Sequence, residues 1–432
     1  ALPCFLESLQ ISVSSSDPAS FRLAQLSATS RERERISQQQ FSKRSIIVRR
    51  SKASMLQLFR TAPAMMATRR LCSSQSINNP VKWGILSAGR IASDYAKAIT
   101  VTDGAIASAV AARCPTKAKE FAALHGITAS YGSYHDVIKS PDVDVVYIGT
   151  TADHHFEWAK QSLRAGKPTV VEKPMTLRLS DTQELIDLAR ENNTFLMEGM
   201  WTRCFPAMHK LRQIIASGEL GQIVYCQGDF GWKFPTDQPN DRIWYKESGG
   251  VTLDIGMYCA QIGRVAFPNG QLKDVRATGT VKNGVDFSVM ATVTYQHDDE
   301  TVEDGLLQFA VTGAANTEER LVIQGTKGRA TLDAPFHVPE RLRIHKDQGR
   351  GETEEVVYDY PLPNDPFGVW NNPGSIGFFH QINEVGKAVR EGKTECDSYT
   401  WNDSLEVALI VDEIVDQVRG GESNDLTKSA CQ

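Results

Sequence analysis

Lys173 stands in the triplet Glu172-Lys173-Pro174, directly after an apolar run that reads as a buried strand, and Asp254 and Tyr258 stand four apart in SGGVTLDIGMYCAQIG. A lysine at the carboxyl edge of a sheet lies where open α/β folds bind their ligands. Tyrosine, with a pKa of about 10, is a poor base at neutral pH, but an ammonium beside it favours the phenolate and makes it a usable acid/base. Residues four apart share a face if the segment is helical, and the preceding pair Gly249-Gly250 permits close backbone approach. Together Lys173, Asp254 and Tyr258 point to proton transfer at a hydroxyl, the companion of a hydride transfer. Read singly, Tyr258 would be a buried aromatic, Asp254 a cap or ion-pair partner and Lys173 a surface lysine; the three together fit that reading poorly.

A hydride needs an acceptor. Ser87-Ala88-Gly89-Arg90-Ile91-Ala92 follows the pattern GxGxxA with serine in place of the first glycine. The same pattern suits a tight turn without a ligand, but here it is the first strand-to-helix turn of a clear α/β run, where backbone amides meet a pyrophosphate. The expected cofactor contacts are Ser87, Ala88, Gly89, Arg90 and Ile91, with Thr150, Glu172 and Lys173 at later strand ends. The second strand ends Ala111-Ala112-Arg113, with no acid to meet the ribose hydroxyls of NAD. A guanidinium there suits a 2′-phosphate, which favours NADP, with Thr116 and Lys117 as helpers. The alternative for Arg113 is a solvated surface arginine.

The elements that must position these groups follow from periodicity. Val81 to Leu86 reads as a buried parallel strand, and IASDYAKAI has helical spacing. Strands at Ala105 to Ala112, DVDVVYIGT, KPTVVEKP and TFLMEG alternate with helices at TKAKEFAALHG, DHHFEWAKQSLRAG and SDTQELIDLARENN, the last opened by a Ser180 or Asp181 cap. The fold class is therefore α/β, with an N-terminal Rossmann domain, a doubly wound parallel sheet, over residues 79–200. After a helix at Pro206 to Ser217, GQIVYCQGDFGW, KDVRATGTV, DFSVMATVTYQ, DGLLQFAVTG, EERLVIQGTKGRATL and HVPERLRIHK read as strands with short turns. Residues 201–432 thus form a second α/β domain with a mainly antiparallel sheet, closed by helices at GFFHQINEVGKAVREG and TWNDSLEVALIVDEIVDQVRG.

Substrate contacts are expected from Trp201, Arg203, Trp232 and Trp244, within an aromatic-rich stretch that also holds Phe205, Phe230 and Phe234; core packing is the alternative. His154 and His155 open the helix after DVDVVYIGT, near the expected nicotinamide region, and adjacent histidines are more often structural.

Bulk composition is that of a globular chain of 432 residues, 41% hydrophobic and 23% charged. Residues 1–78 hold twelve Lys+Arg against four Asp+Glu, so the remainder carries −13 of the net −5, an acidic body that argues against a nucleic-acid partner. The eight cysteines show no CxxC and no metal-ligand spacing, which points to reduced intracellular thiols and to no metal. No apolar run is long enough to cross a bilayer. Residues 1–78 read as a disordered leader; from Met55 their arginines, hydroxyl residues and lack of acids resemble a mitochondrial presequence, although Pro63 interrupts the helix such a segment would form. The expected location is cytoplasmic or mitochondrial.

WGILSAG, VVEKPMTL, MEGMWTRCFPA and GGVTLDIGMYC resemble the glucose-fructose oxidoreductase and inositol dehydrogenase family (Gfo/Idh/MocA), over about residues 81–420. Tyrosine at 258, the MEGMWTR segment and Ala-Ala-Arg look most like its dimeric dihydrodiol dehydrogenases and NADP-dependent D-xylose dehydrogenases. The resemblance implies catalytic and substrate-orienting roles for Lys173, Asp254 and Tyr258, and a homodimer built on the open sheet. The expected activity is NADP-dependent oxidation of a carbinol carbon in a small polyhydroxy substrate. D-xylose going to its lactone is preferred to a trans-dihydrodiol, and a non-catalytic NADP-binding regulator is the alternative of another class.

Overall fold

The computed structural model describes residues 79–297, 301–349 and 351–420. The segment read as a leader and presequence, residues 1–78, lies outside them.

The first half alternates strand and helix. β1 (Val81–Leu86), α1 (Arg90–Thr100), β2 (Ala105–Ala111), α2 (Pro115–His125), β3 (Ala129–Tyr131), α3 (Tyr134–Lys139) and β4 (Val145–Ile148) come first. α4 (His155–Arg164), β5 (Thr169–Val171), α5 (Leu179–Glu191) and β6 (Leu196–Glu198) follow. The six strands are all parallel, in the order β3-β2-β1-β4-β5-β6. Trp83, Ile85 and Leu86 on β1, like the whole of β4, are buried on both faces, which explains their near-continuous apolar sequence. β1 lies between β2 and β4, so the loops after β1 and β4 leave in opposite directions and open a crevice at their carboxyl ends. Gly126 and Gly166, both in the left-handed region, close α2 and α4 as their sequence positions suggest.

α5 departs from expectation. It begins at Leu179 behind Arg178, and neither Ser180 nor Asp181 caps it. The Leu179 amide donates instead to Asp412 Oδ2 at 2.7 Å, and Asp412 belongs to α10 (Trp401–Gly420). The cap comes from across the fold, where local sequence cannot reveal it.

α6 (Pro206–Ala216) leads into the second sheet, made of β7 (Ile223–Gly231), β8 (Gln271–Lys282), β9 (Val285–Gln296), β10 (Gly305–Thr312), β11 (Leu321–Gly325), β12 (Gly328–Leu332), β13 (Arg341–Gly349) and β14 (Glu352–Asp359). Its order is β14-β13-β12-β11-β7-β10-β9-β8; β7 and β10 pair in parallel and every other pair is antiparallel. Between β7 and β8 lie a π-helical turn (Thr252–Gly256), α7 (Met257–Ala260) and α8 (Ile262–Ala266). HVPERLRIHK is not strand throughout: β13 starts at Arg341, because Pro335 and Pro339 keep the preceding residues out of the ladder.

Two late segments return to the first half. α9 (Phe378–Arg390) packs on α1, and α10 packs on α5 while Gln417 bonds both main-chain groups it meets on β8. Just before α9, Asn371, Asn372 and Ser375 give Asp94 of α1 five hydrogen bonds of 2.9–3.1 Å. Asp94 is fully buried, so this clasp satisfies a charge that would otherwise be costly.

Candidate active site

Three turns lie at the carboxyl ends of the parallel strands, and the one after β5 meets the π-helical segment. After β1, Ser87 sits at φ 119°, a conformation that glycine adopts freely and serine only at a cost, which explains why glycine is the usual residue there. Its Oγ accepts the Gly89 amide at 3.0 Å. α1 begins at Arg90 without any side-chain cap, leaving first-turn amides free for an anion. After β4, Thr150 Oγ1 is buried with no hydrogen-bond partner. An uncapped helix start, a glycine beside it and an orphaned hydroxyl across the crevice fit a dinucleotide. Arg113, Thr116 and Lys117 are exposed where β2 passes into α2.

After β5 comes Glu172-Lys173-Pro174. Tyr147 on β4 donates to Glu172 Oε1 at 2.8 Å, and Glu198 at the end of β6 accepts the Met175 amide at 2.9 Å, so the turn is pinned from both neighbouring strands. His155 is buried with its ring nitrogens 2.7 and 3.2 Å from the carbonyls of Pro174 and Thr150, and because burial lowers its pKa the neutral ring donates to one of the two. It ties two of the turns together, the structural role that adjacent histidines more often have.

Asp254 and Tyr258 enter from the other side. Gly249 and Gly250 precede them, and a Cβ on Gly249 would collide with the carbonyls of Ile243 and Tyr245, one on Gly250 with Asp286 and Arg419. Gly250 is also in the left-handed region, at φ 95°. The close approach expected of this pair is therefore realised. The segment is not a regular α-helix: Asp254 lies in the π-helical turn and Tyr258 in the α-helical turn that follows.

Lys173 Nζ donates to the Asp254 carbonyl at 2.6 Å, lies 3.4 Å from Asp254 Oδ1, and sits 5.2 Å from the centre of the Tyr258 ring. Arg242 clamps the same carboxylate through both forks, at 2.7 and 3.0 Å. Burial by itself would raise the Asp254 carboxyl, but Arg242 and Lys173 together hold it down to about 2. Asp254 is thus permanently charged and fully engaged, a group that fixes Lys173 in place.

The surroundings of Tyr258 oppose the phenolate expected of it. Burial, then the nearby charge of Glu172, pushes the phenol well above its ordinary value; the Trp201 hydrogen bond opposes them only in part. The ammonium of Lys173 faces the ring and is bonded to Asp254, so it does not generate a standing phenolate. Trp201 Nε1 donates to Tyr258 Oη at 3.0 Å, which leaves the phenol's own proton available to a third group. Burial also raises Glu172, to about 7, against Lys173 and Tyr147 and with Glu198 adding to the rise.

Of the expected substrate contacts, Trp201 lies in the site but spends its N–H on Tyr258. Arg203 does not reach the cleft. It is 2% exposed, and its guanidinium is bonded to Gln261 and paired with Asp403 at 3.3 Å. An arginine that deep needs a permanent carboxylate partner, and α10 supplies one. Trp244 is buried in a stack on Phe287 and donates to the Pro235 carbonyl, which is core packing, whereas Trp232 is 43% exposed. Sequence reasoning missed Arg242: a lone arginine twelve residues before Asp254, in a 3-10 turn (Arg242–Trp244), carries no motif.

A model of the oxidoreductase family with an NAD-binding Rossmann fold (GFO_IDH_MocA) matches residues 81–200, and a GFO/IDH/MocA C-terminal domain matches residues 208–331. The chain is 32% identical to trans-1,2-dihydrobenzene-1,2-diol dehydrogenase of Sus scrofa over 337 residues, 77% of this chain and 96% of that one. It is 31% identical to the Danio rerio enzyme of the same name, over 78% of this chain and 97% of that one. Among solved structures, levoglucosan dehydrogenase in complex with NADH and levoglucosan superimposes with a TM-score of 0.67 at 21% identity, over 79% of this chain and 98% of that one. A 3-ketoreductase from Actinomadura kijaniata in complex with NADP gives 0.64 at 22%, with the same coverage. These two likenesses speak for the fold. With both domain models matched and a relative at 32% identity spanned almost end to end, the chain belongs to the Gfo/Idh/MocA oxidoreductase family.

Proposed function

We propose that the chain is an NADP-dependent dehydrogenase acting on a carbinol carbon of a small polyhydroxy substrate, with an aldopyranose such as D-xylose, oxidised at its anomeric carbon to the lactone, as the preferred substrate. The observation that carries the reading is the Lys173–Asp254–Arg242 network under the ring of Tyr258, at the carboxyl edge of the parallel sheet. When bound, the dinucleotide supplies the acceptor for the hydride that leaves the carbinol carbon. Ser87, Ala88, Gly89, Arg90, Ile91 and Thr150 would hold it, and Arg113 would select the 2′-phosphate.

The chain's own residues handle the proton. Tyr258 Oη exchanges it with the substrate oxygen, Trp201 holds the phenol in place, and Lys173 offers a positive charge as the substrate oxygen becomes a carbonyl. Asp254 and Arg242 are positioning residues, acting through Lys173. Because burial keeps Tyr258 protonated, oxidation requires that the phenol first release its proton to solvent; the phenolate then takes the hydroxyl proton as the hydride leaves, so oxidation gains as the pH rises. The tyrosine, lysine and aspartate being all in place argues against a regulator that only binds NADP.

A second substrate reading, oxidation of a trans-dihydrodiol to a ketone that rearranges to a catechol, is favoured by the names of the relatives at 31–32% identity. Mixing the protein with NADP and D-xylose, then with a trans-dihydrodiol, and following nicotinamide absorbance decides between them. Tight NADP binding without reduction by either substrate would defeat the enzyme reading. A homodimer built on the open sheet belongs to the same proposal, and sedimentation at micromolar concentration tests it.

A further inference from the structure

His337 stands in the aromatic box around Tyr258, although no motif announces it. It lies in the loop between β12 and β13, its ring stacked on Phe230 at 4.5 Å between centres and 5.4 Å from the ring of Tyr258, with Trp201 at 6.4 Å. The loop is held by two outside partners and by one bond of its own. Thr202 Oγ1 donates to the His337 carbonyl at 2.6 Å, the Phe336 amide donates to the Glu319 carbonyl at 2.9 Å, and the Val338 amide donates to the Pro335 carbonyl at 2.9 Å.

A carboxylate faces this imidazole. Glu319 Oε2 is 3.0 Å from His337 Nδ1, close enough for strong attraction but off the line of a hydrogen bond, so both atoms remain buried without a hydrogen-bond partner. Glu319 itself is at φ 55°, the left-handed region that a glutamate seldom occupies, with its amide donating to Asp229 Oδ2 at 3.1 Å. A strained backbone that places an acid against a histidine marks a position held for use. In the neutral imidazole, a proton placed on Nδ1 toward the carboxylate leaves Nε2 as the acceptor. The imidazole is not sealed from solvent, its side chain being 15% exposed, although Nδ1 itself is buried.

We propose that His337 is a substrate-binding residue that sets specificity: its Nε2 accepts a hydroxyl of the substrate beside Tyr258, and Glu319 orients it to do so. The inference rests on the dehydrogenase reading above and deepens its substrate class. An otherwise aromatic box would take an apolar ring as readily as a sugar. One fixed acceptor in its wall favours a ring that carries a hydroxyl at that place, because a ring lacking it leaves the imidazole nitrogen desolvated and unpaired.

His337→Phe keeps the stack on Phe230 and removes the acceptor; His337→Gln keeps a polar group near the position of Nε2. KM and kcat are measured for wild type and both variants with D-xylose and with a trans-dihydrodiol, at saturating NADP. The expected result is a KM for D-xylose raised about tenfold or more in H337F and partly recovered in H337Q, with the dihydrodiol KM changed less than about twofold. Glu319→Gln, which keeps size and removes charge, should move D-xylose in the same direction as H337F; should H337F fail to fold, H337Q and E319Q are judged by the same substrate contrast. Equal effects on the two substrates, or none on D-xylose, would overturn the role of His337 while the dehydrogenase reading stands. Wild-type protein that oxidises the dihydrodiol but not D-xylose would overturn the role of His337 while the dehydrogenase reading stands; oxidation of neither would overturn both.

Discussion

Lys173 donates to the main-chain carbonyl of Asp254 at 2.6 Å, so the ammonium is anchored to the backbone of the segment that carries Tyr258 rather than to the phenol itself. Its charge meets the ring face. The lysine can therefore stabilise charge at the substrate oxygen without having ionised the tyrosine beforehand. That separation of roles gives the first expectation.

Since burial and Glu172 raise the Tyr258 phenol well above its ordinary value, the phenolate is a small fraction throughout the neutral range. The oxidative rate at saturating substrate should rise roughly tenfold per pH unit from neutrality to about pH 10 while proton transfer limits turnover, and the reductive rate should not rise. Initial rates in both directions across this range check it. A plateau in oxidation below pH 8 would mean that the phenolate is already formed.

Tyr258→Phe removes the exchanging proton and the acceptor of the Trp201 indole N–H. The variant should lose about a hundredfold or more in kcat, with NADP affinity unchanged, and about 1–2 kcal/mol of stability for the stranded indole donor. Fluorescence titration with NADP and a urea melt separate the two effects. Normal turnover in this variant would end the proposed mechanism.

Arg242→Ala should free the Asp254 carboxylate from two charge-assisted bonds, leaving Lys173 alone to balance a buried charge. Because the arginine side chain is itself 57% exposed, the loss of stability is expected at the lower end for such pairs, about 1–3 kcal/mol. kcat should fall more than KM rises, and Arg242→Lys should restore only part, lacking the planar fork. Steady-state kinetics of the two variants side by side provide the check.

Most of the fold was legible because its signals are local. Parallel strands buried on both faces read as continuous apolar runs, and Gly126 and Gly166 stop their helices where sequence places them. β3, with three residues, and α3, with six, are too short to build a period, and β14 is ETEEVVYD, whose acids hide the alternation. In the site, Lys173, Asp254 and Tyr258 were legible from strand-end position and spacing. Arg242, His337 and the burial of Arg203 were not, since each is defined by partners distant in the chain, and the sign of the Tyr258 shift depends on burial and on the charge of Glu172, which spacing does not report.

Glu172 offers a test through stability. Its carboxyl is raised by burial to about 7 in the fold, above the value of about 4.3 that it has when unfolded. A raised folded value means that the contribution is fully present below about pH 4 and lost as the pH climbs through about 7. Glu172→Gln, neutral at every pH, should therefore remove a loss on the order of 3 kcal/mol between these limits. Denaturant midpoints at pH 5 and pH 8 for both proteins reveal it; a wild-type midpoint that falls no more than that of the variant would show that Glu172 stays charged.

Arg113→Ala should weaken NADP by about tenfold or more and leave NAD nearly untouched, as expected when one charge-assisted contact to a phosphate is lost. Titration with each dinucleotide measures this, and an equal effect on both would mean that Arg113 faces solvent alone.

Asp94 lies 277 residues before Asn371. At ordinary rates of synthesis its partners follow it out of the ribosome by roughly a quarter of a minute to a minute. Through that interval the first half has all six strands of its sheet while α1 carries an ionised carboxylate with nowhere dry to go. Packing of α9 on the helix that opens the cofactor turn, and closure of the clasp on Asp94, must therefore wait for the far end of the chain, although that helix is among the first segments made.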